Sequence, residues 1–256
     1  MAETDTDFRR LAPEPRDVIR AAQLLTRVPI SGGDGTRGAE AAWAWPVVGL
    51  SVGLVQAFAG VIALSIGLPA SVAAGLAIAV GLLLTGGLHE DGLADCADGF
   101  WGGMDRARRL DILKDSRIGA YGVLALIVAM GMRWALMASL LLHAPLALVA
   151  GAMLGRSAMA AVMAQLPFAR DGGLAAQVGR PPMAAVWLGA ICAILGAVIF
   201  AGFGAGLIAV VSAICATWGV AAVARAKIGG QTGDVLGATQ VMSELAALTA
   251  CVAVLS

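Results

Sequence analysis

Charge is what this sequence has least of. Only 13% of its 256 residues are Asp, Glu, Lys or Arg, against roughly 25% in a soluble domain. Residues 41–88 hold none at all. Further apolar runs cover residues 120–142, 145–166, 183–224 and 241–255, and the mean hydropathy is +0.86. A membrane-spanning helix needs about 20 apolar residues, so the two longest runs each hold two spans. They break near Gly67-Leu68-Pro69 and near residues 202–206. The last span is only 15 residues long. A soluble globular fold is excluded.

Other absences narrow the class. Nothing alternates polar with apolar in segments of about ten, as the strands of a membrane barrel would. No internal repeat or low-complexity tract divides the chain, which predicts a single integral membrane domain over residues 1–256. No short apolar core with a cleavage site lies near the start, so no cleavable signal is expected. The net charge is zero, which leaves no basic surface for nucleic acid. Four cysteines lack metal-type spacing. Cys192, Cys215 and Cys251 fall inside spans and Cys96 faces a reducing compartment, so no disulfide is expected. The 34 glycines and abundant alanines suit helices packed through small residues. The fold class is all-α, a polytopic transmembrane bundle of about seven spans.

The positive charges that do occur are placed asymmetrically. Arg9, Arg10, Arg16, Arg20, Arg27 and Arg37 precede the first span. Arg106, Arg108, Arg109, Lys114 and Arg117 follow the second, Arg170 and Arg180 the fourth, Arg225 and Lys227 the sixth. The alternate connections carry none. The positive-inside rule puts the N-terminal segment 1–40 and every long loop in the cytoplasm, with the C-terminus outside. Residues 18–30 are expected to form an interfacial amphipathic helix with Arg20 and Arg27 on one face.

The negative charges cluster. Residues 89–119 hold seven of the chain's 17 acids, on what reads as a cytoplasmic continuation of the second span. Asp91, Asp95 and Asp98 stand at i, i+4 and i+7, one face of a helix. Asp111 and Asp115 are four apart on a second expected helix. Like charges at that spacing repel unless a cation lies between them, and glycines around them let backbone approach a ligand. Oxygen-only donors suit Mg²⁺, which takes one or two carboxylates plus substrate phosphates. Asp91, Asp95 and Asp98 are the expected metal ligands.

Two resemblances carry function. "DCADG" (95–99) and "DILKD" (111–115) resemble the acidic signature of the CDP-alcohol phosphotransferases, without that family's Ala-Arg pair and longer gap. The string "GGLHEDGLADCADGFWGG" (86–103), with "ILKDSRIGAYGVLAL" (112–126) and "GGQTGDVLGA" (229–238), resembles the adenosylcobinamide-GDP ribazoletransferase family, the cobalamin 5′-phosphate synthases. "LTRVP" (25–29), "WPVVGL" (45–50), "GRSAM" (155–159) and "FARDGGLA" (168–175) support it in order. Glu90 departs from it, standing where the family's motif usually carries an apolar residue.

This second resemblance implies a Mg²⁺-dependent transferase of the late cobamide pathway in a bacterial cytoplasmic (inner) membrane. Its substrates would be adenosylcobinamide-GDP and α-ribazole or its 5′-phosphate, with GMP released. Further copies of itself or other cobamide-pathway enzymes are expected as partners. By analogy with the CDP-alcohol enzymes Asp115 takes the hydroxyl proton, with Asp98 and Asp111 beside it as catalytic carboxylates. Arg117, His89, Arg156, Gly233 and Asp234 are the expected substrate-binding residues. "GGQTGDVLGA" lacks the G-K-[ST] of a Walker loop, and exposed amides at its glycines would meet phosphate.

Arg133 and Arg156 sit near the middle of their spans, where a charge normally faces a partner or cavity. Glu244 is expected four residues inside the last span, close enough to snorkel. Trp43, Trp45, Trp101 and Trp218 suit interfacial belts. Two rivals remain: a CDP-alcohol phosphotransferase acting on lipids, and a divalent-cation transporter, against which stands the absence of two related broken halves.

Overall fold

The computed structural model describes residues 12–33 and 37–256; Arg9 and Arg10 lie outside them. Helices occupy the apolar runs: α1 Arg16–Leu25, a 3₁₀ segment Ala39–Ala44, α2 Trp45–Ser65, α3 Ala70–Thr85, α4 Leu88–Gly102, α5 Arg106–Ile112, α6 Ala120–His143, α7 Ala147–Gln165, α8 Leu174–Val178, α9 Met183–Ala201, α10 Phe203–Ile228 and α11 Gly233–Leu255. Among the described residues the only sheet-like pairing is one parallel bridge, Phe168 to Gln231. Among the described residues six helices are long and apolar enough to span a membrane, or seven if the bent pair α3 and α4 counts as one span. The protein is a multi-pass helical bundle.

α7 is the axis, with nearly its whole length buried. Small residues permit this. A methyl group on Gly49 or Gly53 of α2 would stand 2.5 Å from the Ala152 carbonyl or 2.7 Å from Val149 Cα. On the other side, one on Gly155 would stand 2.8 Å from the Gln240 carbonyl of α11. Three backbones therefore meet with almost nothing between them.

Several expectations are corrected. The acidic segment does not continue the second span: Gly86 and Gly87 are both left-handed (φ 68°), and α4 leaves α3 at 89°. The last helix has 23 residues rather than 15, starting beneath a Thr232 cap. Glu244 is therefore twelfth in its helix and buried, out of snorkelling range. The N-terminal helix ends at Leu25, because Thr26 is extended. Arg27 thus shares no helical face with Arg20. Arg20 itself turns inward to Asp17, 2.7 Å away.

The buried Asp17 carboxylate also accepts from Trp43 Nε1 (2.8 Å), the Glu14 amide (3.0 Å) and Arg37 Nη2 (3.2 Å). Burial alone would raise its pKa, but the Glu14 amide, Trp43, Arg20 and Arg37 outweigh it and hold the carboxyl below its usual range. Trp43 is thus a hydrogen-bond donor inside this cluster, and Trp45 is core, at 1% exposure. Buried in the core, Trp45 does not face an interfacial belt. Trp101 and Trp218 are exposed.

The connections rich in Lys and Arg gather at one end of the bundle. Arg106 of α5 donates to the Ile228 carbonyl and to Ala169, each at 2.7 Å. Arg109 donates to the Lys227 carbonyl at 3.1 Å and to Gly103 at 3.0 Å. Arg180 donates to Leu166 at 3.1 Å. The last carbonyls of α10 are the negative end of a helix dipole, where guanidinium groups are favoured.

Candidate active site

At that end three interruptions of the bundle meet: the Gly86-Gly87 break, the chain after α7 and the chain between α10 and α11. The last two are zipped together, Ala169 N to Gln231 O at 2.9 Å and Gln231 N to Pro167 O at 2.8 Å. α4 then crosses α11 at Gly92 and Gly237. A methyl on Gly92 would lie 2.7 Å from the Asp234 carbonyl oxygen, and one on Gly237 would lie 3.0 Å from that of His89. Two glycines put the acidic helix directly on the start of α11.

This crossing brings Asp234, from the far end of the sequence, beside the carboxylates of α4. Asp91 is exposed and Asp95 half-buried. Asp95 feels the charges of Asp91, Asp234 and Asp98, in that order. Asp234 is ion-paired to Arg170 at 3.4 Å and accepts from Thr232 Oγ1 at 3.0 Å. Gly233 is the first residue of α11 and has open space above it. Sequence reasoning left Arg170 out of the site, counting it toward orientation and as part of the FARDGGLA string. Its signal was an arginine next to an Asp-Gly-Gly turn.

Asp98 shares the expected face but not the surroundings. Its two oxygens accept from Gly119 N at 2.7 Å and Gly122 N at 2.9 Å, capping α6 from another helix. Leu113 packs over Gly99 and lays the segment after α5 on α4. Asp111 lies exposed in the last turn of α5. Asp115 falls beyond the helix end, so the expected i, i+4 pair does not share a helical face. Asp115 forms a fork with Arg117, Nη2 to Oδ2 2.7 Å and Nε to Oδ1 3.0 Å. That hydrogen-bonding lowers its carboxyl to about 2 and raises the Arg117 guanidinium. A carboxylate held so low is a weak acceptor for a hydroxyl proton.

His89 and Arg156, expected to touch substrate, lie at 2% exposure behind the first turn of α4. They join Glu90, Arg133, Gln240 and Glu244 around a small polar cavity. The helix thus shows two faces: a buried network on His89 and Glu90, and open carboxylates on Asp91 and Asp95.

Among the described residues no three His, Cys, Asp or Glu side chains stand close enough to cage an ion by themselves. Asp91, Asp95 and Asp234 offer only oxygen and repel one another, and of the three only Asp234 is ion-paired, to Arg170. That donor set fits a hard ion that takes one or two carboxylates and fills its shell from water and substrate.

The profile of the cobalamin-5-phosphate synthase family matches residues 17–252. The chain belongs to this family. It is similar to adenosylcobinamide-GDP ribazoletransferase from a Sinorhizobium species, 41% identical over 249 residues, 91% of this chain and 95% of the relative. The protein of the same name from Bradyrhizobium diazoefficiens is 41% identical over 238 residues, 91% of each chain. That from Brucella canis is 40% identical over 247 residues. No solved structure matches. Family membership makes the chain a transferase of cobalamin biosynthesis, and the matched region takes in α4, Arg170 and Asp234 alike.

Proposed function

We propose that this chain transfers the cobinamide-bearing phosphoryl group of adenosylcobinamide-GDP to α-ribazole or its 5′-phosphate. A ribose hydroxyl attacks the phosphorus nearest cobinamide, the bond from that phosphorus to the bridging oxygen breaks, and GMP leaves with that oxygen. The hydroxyl proton passes to a carboxylate. The observation that carries the reading is the convergence of Asp91, Asp95 and Asp234 at the α4–α11 crossing, in a chain of this family.

Such a transfer needs in-line positioning and neutralised oxyanions more than covalent help. Asp91 and Asp95, with Asp234 opposite, would hold Mg²⁺, which when bound neutralises charge on the pyrophosphate. Asp98 retains lone pairs beyond the two amides it accepts from. It fixes the start of α6 against the acidic helix. Arg170 balances Asp234 and can turn to a phosphate. Arg117 is exposed and suits bidentate phosphate binding. Its departure would release Asp115, whose carboxyl then rises toward the ordinary range and can take the hydroxyl proton; Asp111 lies nearby. His89 and Arg156 act from behind α4, and Gly233 leaves backbone amides open to phosphate. The lysines and arginines gathered at one end support an inner-membrane orientation with the site in the cytoplasm.

The test is GMP release by purified protein in lipid nanodiscs with Mg²⁺ and both substrates. Asp95→Asn keeps size and polarity and should lower turnover about a thousandfold, the several kcal/mol that charge neutralisation supplies. Undiminished GMP release by Asp95→Asn, or by the parent protein in excess chelator, refutes the assignment. Release of CMP from a CDP-alcohol would favour a lipid enzyme instead.

A further inference from the structure

The spacing of Asp91 and Asp95 from Asp234 depends on the angle between α4 and α11; Gly92 and Gly237 set how closely the two helices approach, but the chain flanking α4 does not set that angle. Two left-handed glycines precede α4, and Gly102-Gly103 end it. Side chains must hold it, and those of its first turn are unusual. Glu90, immediately before Asp91, is buried at 9% exposure, and its Oε1 accepts from Arg133 Nη1 of α6 at 2.5 Å. Arg133 Nη2 lies 3.5 Å from Glu244 Oε1 of α11. One guanidinium therefore bridges the two helices that carry the acids. Gln240, one turn before Glu244, donates to its other carboxylate oxygen.

Arg156, the second guanidinium of the network, lies close enough to feel Glu244, Glu90 and Arg133. Charges balance, two carboxylates against two guanidinium groups. A charge at such depth survives only with its partner. Removing one member strands another, whereas removing an opposite pair together is often tolerated.

We propose that Glu90, Arg133 and Glu244 form a clamp that fixes the angle of α4 on α11, making Glu90 and Arg133 positioning residues for the carboxylates at the crossing. The inference rests on the reading of those carboxylates as the transfer site.

The experiment separates clamp, charge balance and site. Glu90→Leu leaves two arginines facing Glu244 alone and should lower both melting temperature and turnover. Glu90→Leu with Arg133→Leu leaves Glu244 facing Arg156, so folding should recover. Its kcat should stay reduced by about tenfold or more, with KM little changed, since a misplacement near 1 Å is enough for that. The readout independent of activity is the distance between spin labels at Trp101→Cys on α4 and Met242→Cys on α11, in a background without the four native cysteines. A narrow distribution in the parent should broaden or shift in the double variant.

A double variant with parental distances and kcat overturns the clamp. So does one that fails to fold, because balanced removal should be tolerated. Full activity of Asp95→Asn would instead sink the site reading, and the spin-label distances would still decide whether the clamp exists.

Discussion

Adding one methyl group at Gly92 should separate the halves of the site. The β-carbon of Gly92→Ala would lie 2.7 Å from the carbonyl oxygen of Asp234, 3.0 Å from its Cα and 3.2 Å from Cα of Gly237. All three are backbone atoms, so no flexible side chain can yield. Non-bonded carbon contacts settle at about 3.5–4.0 Å, which leaves a shortfall of about 0.5–1 Å for the helices to absorb by moving apart. Overpacking of this kind costs about 1–3 kcal/mol of stability. The effect on chemistry is larger relative to the disturbance, because a displacement near 1 Å can lower turnover about a hundredfold, or about 2.7 kcal/mol in the barrier.

The assay is GMP release at saturating substrates, with a thermal melt of the same sample. Gly75→Ala is the control: it adds the same methyl in helix α3, where nothing lies within 4 Å. Alanine is the better helix former by about 1 kcal/mol, so the control should melt no lower and turn over normally. If Gly92→Ala retains as much activity as Gly75→Ala, the spacing of α4 from α11 does not govern the reaction.

Two further outcomes test the scaffold. Replacing Asp17 by Asn should destabilise the protein by about 3 kcal/mol at neutral pH, since among the described residues it leaves the buried Arg20 and the partly buried Arg37 with only the half-exposed Glu14 as a charged partner. The pH sign follows from its lowered pKa: the Asp17 contribution is present above the unfolded value and lost as pH falls through the lower folded value. Parent and Asp17→Asn melting temperatures should therefore converge below about pH 4; a constant gap down to pH values well below that refutes the ionised cluster. Arg106→Lys keeps the charge but cannot reach both Ile228 and Ala169 in the same fork, and should cost about 1.5–3 kcal/mol, read as a lower melting temperature. An unchanged melt would mean the two carbonyls are satisfied without it.

The spans were legible because charge is excluded from them, and the turns at Gly67 and Gly202 because glycine and proline interrupt long runs. The true length of α11 was not. Thr239, Gln240, Ser243 and Glu244 lower the local hydropathy, yet all four face the interior at 5% exposure or less. Hydropathy along the chain carries no information about which face is buried. The helical face shared by Asp91, Asp95 and Asp98 was visible as spacing, while the capping of α6 by Asp98 was not, because its partners lie 21 and 24 residues away. Arg106, Arg109 and Arg170 were visible as charges that orient a membrane protein. Their bonds to Ile228, Lys227 and Asp234 are non-local and leave no periodic trace.

The arrangement of the acids distinguishes two kinds of carboxylate. Asp98 sits at the start of α6 and Asp234 in the first turn of α11, both at the positive ends of helix dipoles. Each is also anchored, Asp98 by two amides and Asp234 by Arg170 and Thr232. Asp91 also lies in the first turn of its own helix, but neither it nor Asp95 has such an anchor. They lie along α4 itself, one turn apart, and among the described residues neither is hydrogen-bonded or ion-paired through its side chain. The repulsion at the crossing therefore falls chiefly on these two, and the close backbone contact at Gly92 places Asp234 beside them. On the proposed function, a cation bound there would relieve that repulsion, and a pyrophosphate drawn in with it would find in Arg170 and Arg117 guanidinium groups able to exchange a carboxylate for a phosphate.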